Sequence, residues 1–266
     1  MKTIASRHNP MVHVFRDLAA EPDESRVLLD GVHLVRDAAA AGLAFEQVCV
    51  STSALERGTD AGLLAAALEA RGLPILVAPD QLFAAISPVR TPAGIVAIVR
   101  RSATTPQEIC QTGGVPPAFI LAGTDVQDPG NVGALLRVAE AAGTTGAVIA
   151  GSSANPFSWK ALRGSMGSAL RLPVVHGQRI GDLVPMFKAA SIRTIAAVAR
   201  DGASPDEIDW TGRVAVIVGG EGPGLAPDVV EASDVRVTIP MAPPVESLNV
   251  AVAAAILLYA ARRQRT

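Results

Sequence analysis

The stretch Ala118-Phe-Ile-Leu-Ala-Gly-Thr-Asp125-Val-Gln-Asp128-Pro-Gly-Asn131-Val-Gly-Ala-Leu-Leu-Arg137 changes period at its middle. Ala118 to Ala122 is an unbroken apolar run, as in a strand buried on both faces. Asn131 to Ala142 reads as a helix, with Pro129 and Gly130 making the turn into it. A strand feeding a helix in this way is half of a βαβ unit, and open sheets of such units bind ligands at the carboxyl ends of their strands. The helix N-terminus there offers free amides to an anion. Asn131 and Arg137 stand six residues apart, not quite two turns, so they need not share a face. Taken alone, the stretch is better read as a plain capped helix with an exposed arginine.

The alternation continues on both sides. Downstream, strands are expected at Gly146–Ile149, Thr194–Ala199, Val214–Val218 and Val235–Ile239, and helices at Leu183–Ala190 and Leu248–Arg263; Gly151 to Ser168 reads as a polar Gly/Ser-rich stretch. Arg262, Arg263 and Arg265 most simply complement the last helix's dipole. Upstream, strands are expected at Arg26–Leu29, Gln47–Val50, Ile75–Val77 and Gly94–Val99, with helices at Gly31–Ala41, Gly62–Arg71 and a short one capped by Asp80. Residues 1–23 read as a short polar lead. Ser102 to Pro117, rich in Thr, Pro and Gly with little periodicity, reads as a linker. The organisation expected is therefore 1–101, a linker at 102–117, and 118–266. No internal repeat interrupts it.

Composition bounds the chemistry. The chain has 266 residues, 49% of them hydrophobic and 3% aromatic, so its cores are aliphatic, which suits helices packed on a parallel sheet. Its net charge of -2 gives no global attraction for nucleic acid, so any such binding must come from local patches. Lysine occurs only at 2, 160 and 188; the other cations are arginines, the better fork for phosphate. Lys160, Arg163 and Arg171, and separately Arg7, Arg16, Arg100 and Arg101, are candidate local basic patches, though a solvated loop explains the first group nearly as well. Cys49, Cys110 and the four histidines are scattered without metal-ligand or disulfide spacing, so no metal is expected. The longest apolar run, Val250–Ala261, is too short to span a bilayer, and Arg7 to Pro10 interrupt any signal-like start. A cytoplasmic protein without membrane attachment is expected.

Two more segments sit at strand ends. Val218-Gly-Gly-Glu221-Gly-Pro-Gly224-Leu follows a buried strand, and its glycines permit a tight turn and close backbone approach to a ligand. It is neither a dinucleotide fingerprint nor a Walker loop. Ile239-Pro-Met241, followed by Val245-Glu-Ser247-Leu-Asn249, runs from a strand end into the last helix, with an N-cap expected at Ser247 or a neighbour.

Each segment is weak alone; the three in this order are specific. Together they resemble the SpoU family of SPOUT-class RNA methyltransferases over residues 118–263. The unit opening Leu29-Asp-Gly31-Val-His-Leu resembles the family's substrate-binding domain, and Ile4-Ala-Ser-Arg-His-Asn-Pro10 the start of its rRNA-directed members. The resemblance implies an α/β protein: a C-terminal parallel-sheet domain with a trefoil knot, preceded by a small α/β/α RNA-binding domain akin to ribosomal proteins. It implies S-adenosylmethionine as cofactor, held largely by backbone groups at Gly219, Gly220, Glu221, Gly224, Ile239, Met241, Ser247 and Leu248. It implies catalytic positions at Asn131, Arg137, Glu221, Ser247 and Asn249, sites formed at a two-fold homodimer interface, and methyl transfer to a ribose 2′-hydroxyl. Ribosomal RNA is the expected target, transfer RNA the alternative. A non-catalytic RNA-binding member and a guanine-methylating relative of the knotted class are the rivals; the Asn131–Arg137 and Ser247–Asn249 pattern is that of the ribose-directed branch.

Overall fold

The computed structural model describes the chain except residues 24, 112–116, 221, 223 and 266. It divides into two compact units, one of residues 1–103 with 157–170, the other of 104–156 with 171–266.

The first unit runs β1 (Lys2–Thr3), α1 (Pro10–Ala20), β2 (Arg26–Asp30), α2 (Val32–Ala40), β3 (Ala44–Ser51), α3 (Thr52–Glu56), α4 (Asp60–Ala70), β4 (Ile75–Ala78), α5 (Asp80–Ile86) and β5 (Ile95–Arg100). Its sheet is ordered β1-β4-β3-β5-β2, with β5 antiparallel to both neighbours. Leu28, Cys49, Leu76, Val96 and Ile98 join Val12, Phe15 and Leu18 of α1 and Phe83 of α5 in one core. The polar lead expected at 1–23 is thus wrong. Val12, Phe15 and Leu18 recur every three residues, Asn9 Oδ1 accepts the Met11 amide at 2.9 Å, and Pro10 opens the helix. The polar residues of this segment lie on the helix's other face. Asp80 does not cap α5 either; Pro79 holds the cap position, and Asp80 Oδ1 accepts the Ser53 amide at 3.2 Å.

The second unit holds α6 (Pro106–Gln111), β6 (Phe119–Thr124), α7 (Pro129–Ala142) and β7 (Gly146–Ala150). After α8 (Trp159–Ser165) and α9 (Ser168–Arg171) it resumes with β8 (Val174–His176), α10 (Ile180–Ala189), β9 (Arg193–Ala197), β10 (Val214–Gly219), α11 (Pro227–Ala232), β11 (Val235–Val237) and α12 (Val250–Arg265). The six strands are all parallel, ordered β11-β9-β10-β6-β7-β8. Chain order runs outward from β6 through β7 to β8 and then returns on the other side, which puts a topological switch beside β6. Strands β6 and β7 are buried along their whole length.

Three readings need correction here. The 102–117 segment contains α6, because Thr105 and Glu108 form a reciprocal capping box: the Thr105 amide reaches Glu108 Oε2 at 2.7 Å and the Glu108 amide reaches Thr105 Oγ1 at 3.2 Å. The stretch 151–168 is not continuous loop; Ser158 caps α8, and the buried Ala161 and Leu162 give it an apolar side. Pro129 and Gly130 belong to the first turn of α7 rather than to the turn before it, since Asp128 is the cap. Two short strand and helix segments, β8 and α11, carry too few residues to show a period.

Candidate functional site

The site is assembled where β6, β9 and β10 end. After Thr124 the backbone turns at Asp125, which has φ 59°. Its carboxylate ties two loops together: Oδ1 accepts the Ser152 amide at 2.8 Å, and Oδ2 accepts Thr124 Oγ1 at 3.0 Å. Asp128 Oδ1 then accepts the Asn131 amide at 2.9 Å and starts α7. Asn131 therefore sits in the first turn of that helix. Arg137 lies on the same helix, turned about 120° away by the 100° step per residue. It is exposed, and among the described residues it makes no hydrogen bond or ion pair.

The glycines after β10 are required by crowding. The Gly220 amide donates to the Thr124 carbonyl at 2.7 Å, and a Cβ on Gly220 would overlap the Asp125 carbonyl. A Cβ on Gly219 would overlap the backbone of Gly224 and Leu225. Only glycine lets the β10 loop pass this close to the β6 loop. Glu221, read as catalytic and cofactor-binding, lies outside the described residues.

The third segment closes the arrangement. Asn249 Oδ1 accepts the amides of Ala251 at 2.9 Å and Val252 at 3.4 Å, which caps α12. The cap expected at Ser247 or a neighbour falls on this neighbour. The Asn249 amide nitrogen donates to Asn131 Oδ1 at 3.0 Å, across 118 residues of sequence. The first turns of α7 and α12 are thereby joined.

The second and third segments, with the end of β9, enclose a cleft of about 490 Å³. Gly219, Gly220, Gly222 and Gly224 line it with backbone, Leu225, Ile239, Met241 and Leu248 with apolar surface, and Ser247 and Asn249 with the polar side chains. No charged side chain of the described residues lines it. The volume suits a nucleoside-sized ligand, and the lining suits one held by backbone groups and apolar contact. Every described residue expected to hold the cofactor lines the cleft. Of the expected catalytic residues, Ser247 and Asn249 line it, Asn131 touches it through Asn249, and Arg137 does not line it. The sequence reading missed Ala197, Val198 and Ala199 at the end of β9. They carry no chemical signature; their signal is positional, since β9 pairs with β10 in parallel and ends at the same edge.

Among the described residues no group of three or more His, Cys, Asp or Glu is placed to hold a metal, and no helix is long and apolar enough to cross a membrane. Cys49 and Cys110 are free and buried, and burial pushes the Cys49 thiol up to about 12.

Comparison with known proteins gives three kinds of match. Residues 118–259 match the model of the SpoU rRNA Methylase family. An uncharacterized tRNA/rRNA methyltransferase of Synechocystis is 34% identical over 99% of this chain and 94% of its own. The 23S rRNA (guanosine(2553)-2′-O)-methyltransferase RlmP of Bacillus subtilis is 31% identical over 97% of this chain and 98% of its own. Among solved structures, an AdoMet-bound rRNA methyltransferase from Sinorhizobium meliloti superposes with a TM-score of 0.84 at 27% identity, covering 98% of this chain and 97% of its own.

Proposed function

The chain belongs to the SpoU rRNA methylase family, and on that premise we propose that it methylates the ribose 2′-hydroxyl of a nucleotide in ribosomal RNA. It is an S-adenosylmethionine-dependent RNA methyltransferase with a parallel α/β SPOUT domain. The ribosomal target follows the Bacillus subtilis relative, which matches along nearly the whole of both chains. The observation that carries the reading is the glycine-lined cleft at the strand ends, with Asn249 joining it to Asn131.

The cofactor, when bound, supplies a methyl group on a positively charged sulfur. Gly219, Gly220 and Gly224 hold it through backbone, against Ile239, Met241 and Leu248, with Ser247 as a polar contact. A guanidinium acts more naturally by charge and by its planar fork of donors than as a general base, and that is the role Arg137 takes in this reading. It grips the RNA phosphate and stabilises the negative charge developing on the ribose oxygen. Asn131 positions the ribose, and Glu221 orients Arg137. In this reading 1–101 binds RNA, 102–117 links, and 118–266 carries the knotted catalytic domain.

The working form is a homodimer in the cytoplasm, where its RNA is. Val252, Ile256 and Tyr259 support the dimer: they lie on one exposed face of α12 at 48%, 40% and 48% exposure, an apolar stripe that a second copy would cover. The testing experiment is transfer of labelled methyl from S-adenosylmethionine to deproteinised rRNA and to tRNA. The expected product resists alkaline cleavage at the modified nucleotide, because the attacking hydroxyl is gone. Label that appears only on a base, or only in tRNA, would refute the proposal.

A further inference from the structure

Two glycines from different loops give way to Asp125. A Cβ on Gly220, after β10, would overlap its carbonyl, and a Cβ on Gly151, after β7, would overlap its carboxylate. Asp125 itself turns through the left-handed region at φ 59°, where aspartate is tolerated better than most side chains. Its polar groups are engaged on both sides of that turn. The amide donates to the Ala150 carbonyl at 3.2 Å, Oδ1 accepts the Ser152 amide at 2.8 Å, and Oδ2 accepts the Thr124 hydroxyl at 3.0 Å. The next residue, Val126, is buried; its amide donates to Ser153 Oγ at 2.9 Å and its carbonyl accepts the Ala154 amide at 2.9 Å. Asp128 then caps α7. The chain from the end of β6 to the first turn of α7 is thus pinned to the loop after β7 and pressed against the loop after β10.

We propose that Asp125 is a positioning residue for methyl transfer: it sets the first turn of α7 at a fixed offset from the glycine loop that holds the cofactor. The proposal rests on the reading that places Asn131, in that turn, at the reacting ribose. The left-handed turn has a physical use. It redirects the chain directly after Thr124, whose carbonyl receives the Gly220 amide at 2.7 Å. The end of β6 therefore holds the glycine loop while the next residues lead away into α7. An extended residue at 125 would start α7 elsewhere, and the carboxylate's bonds hold the strained turn in place. Asp125 does not line the cleft, so it acts through placement. Methyl transfer needs the attacking oxygen and the methyl carbon about 3–3.5 Å apart and in line, and an error of about 1 Å in that offset costs rate while the cofactor's own contacts remain.

The test uses the full chain and sets kcat for methyl transfer, at saturating RNA and S-adenosylmethionine, against the S-adenosylmethionine Kd from calorimetry. Asp125→Gly keeps the left-handed turn and removes both carboxylate bonds; kcat should fall about tenfold or more while Kd stays within about threefold. Asp125→Asn still accepts the Ser152 amide and donates to Thr124 Oγ1, so it should keep kcat within about threefold of native. Thr124→Val releases one of the two bonds and should lie between them. Melting temperature reports on folding, and T124V carries the same comparison if D125G does not fold. D125G at the native kcat would overturn the proposal, because nothing would then depend on the carboxylate. Losses of kcat and cofactor affinity in equal measure would overturn it as well, because Asp125 would then be supporting the cleft. D125N as slow as D125G would assign the effect to negative charge and end the positioning role. Asn131→Ala at the native rate would instead defeat the underlying reading, and that variant leaves Asp125 untouched, so the two failures are told apart.

Discussion

At the residue scale, Arg137 separates charge from binding. It is exposed and lies off the cleft, so its removal should leave cofactor affinity unchanged while the chemical step suffers. Arg137→Ala is expected to cost about 3 kcal/mol of transition-state stabilisation, the order seen for a preorganised catalytic donor. Arg137→Lys should not restore the rate, because a point charge cannot reproduce a planar fork. Steady-state methylation with calorimetry on the same samples makes the comparison; loss of both activities together would mark Arg137 as structural. Gly220 shows what a sequence can convey about such a site. That a ligand or a second loop comes close is readable from glycines behind a buried strand. That the close neighbour is the Asp125 carbonyl is a fact of packing.

At the element scale, strand ends and helix caps decide which side chains meet. Asn249 and Asn131 occupy the first turns of two helices whose starts are set by local caps. The arginines closing α12 show the limit of a local argument. They were expected to answer the helix dipole, yet Arg262 Nη1 donates to the Ala141 carbonyl at 2.8 Å near the end of α7. Arg265 reaches the carbonyls of Trp210 at 2.7 Å and Pro117 at 2.8 Å, with its guanidinium 4.6 Å from the Phe119 ring centre. They fasten α12 to three separate segments. A second fastening joins β9 to the start of β11: Asp234 Oδ2 accepts the Thr194 amide at 2.8 Å and hydroxyl at 2.7 Å, and Lys188 Nζ lies 3.1 Å from Oδ1. Burial acts to raise this carboxyl, but the bonds from Thr194 and Lys188 outweigh it and hold the pKa below the usual value. A depressed folded pKa gives stability that is complete above the unfolded value and disappears as pH falls through the folded one. Because the side chain is 34% exposed, solvent screening limits the effect to about 1 kcal/mol. Asp234→Asn should melt lower than the native protein at pH 7, and the gap should close below about pH 4. A gap independent of pH would assign the loss to packing.

At the scale of the whole molecule, the first unit is discontinuous: it contains residues 157–170 as well as 1–103. Within it Arg101 stacks on the Phe157 ring with its guanidinium 3.6 Å from the centre, and α8 packs on β2. A protein starting near Pro117 should therefore lose more than RNA affinity. It uncovers Phe157 and Leu162, which are buried in the complete chain, and should melt measurably lower while still binding S-adenosylmethionine. Unchanged melting would show that 157–170 is stable without residues 1–103. The apolar stripe on α12 gives the second expectation. Ile256→Glu places a charge at its centre and should convert a dimer to monomer by sedimentation, with loss of methylation; a monomeric native protein would remove the homodimer from the proposal.

The sequence by itself determined the alternation of the main strands and helices, the parallel character of the second sheet and the two loops after β10 and β11 that line the cleft. Those properties are written in apolar runs, glycines after strands and polar residues before helices, all of which act over a few neighbours. It also carried the family resemblance, because the three motifs keep their order and residue types along the chain. Only the tertiary structure decided that Asn131 and Asn249 share a hydrogen bond, that Ala197 to Ala199 complete the cleft, and that the terminal arginines grip distant carbonyls. The reason is the same in each case. A side chain's partner across a hundred residues is fixed by how strands order themselves in a sheet, and no local period or propensity carries that information.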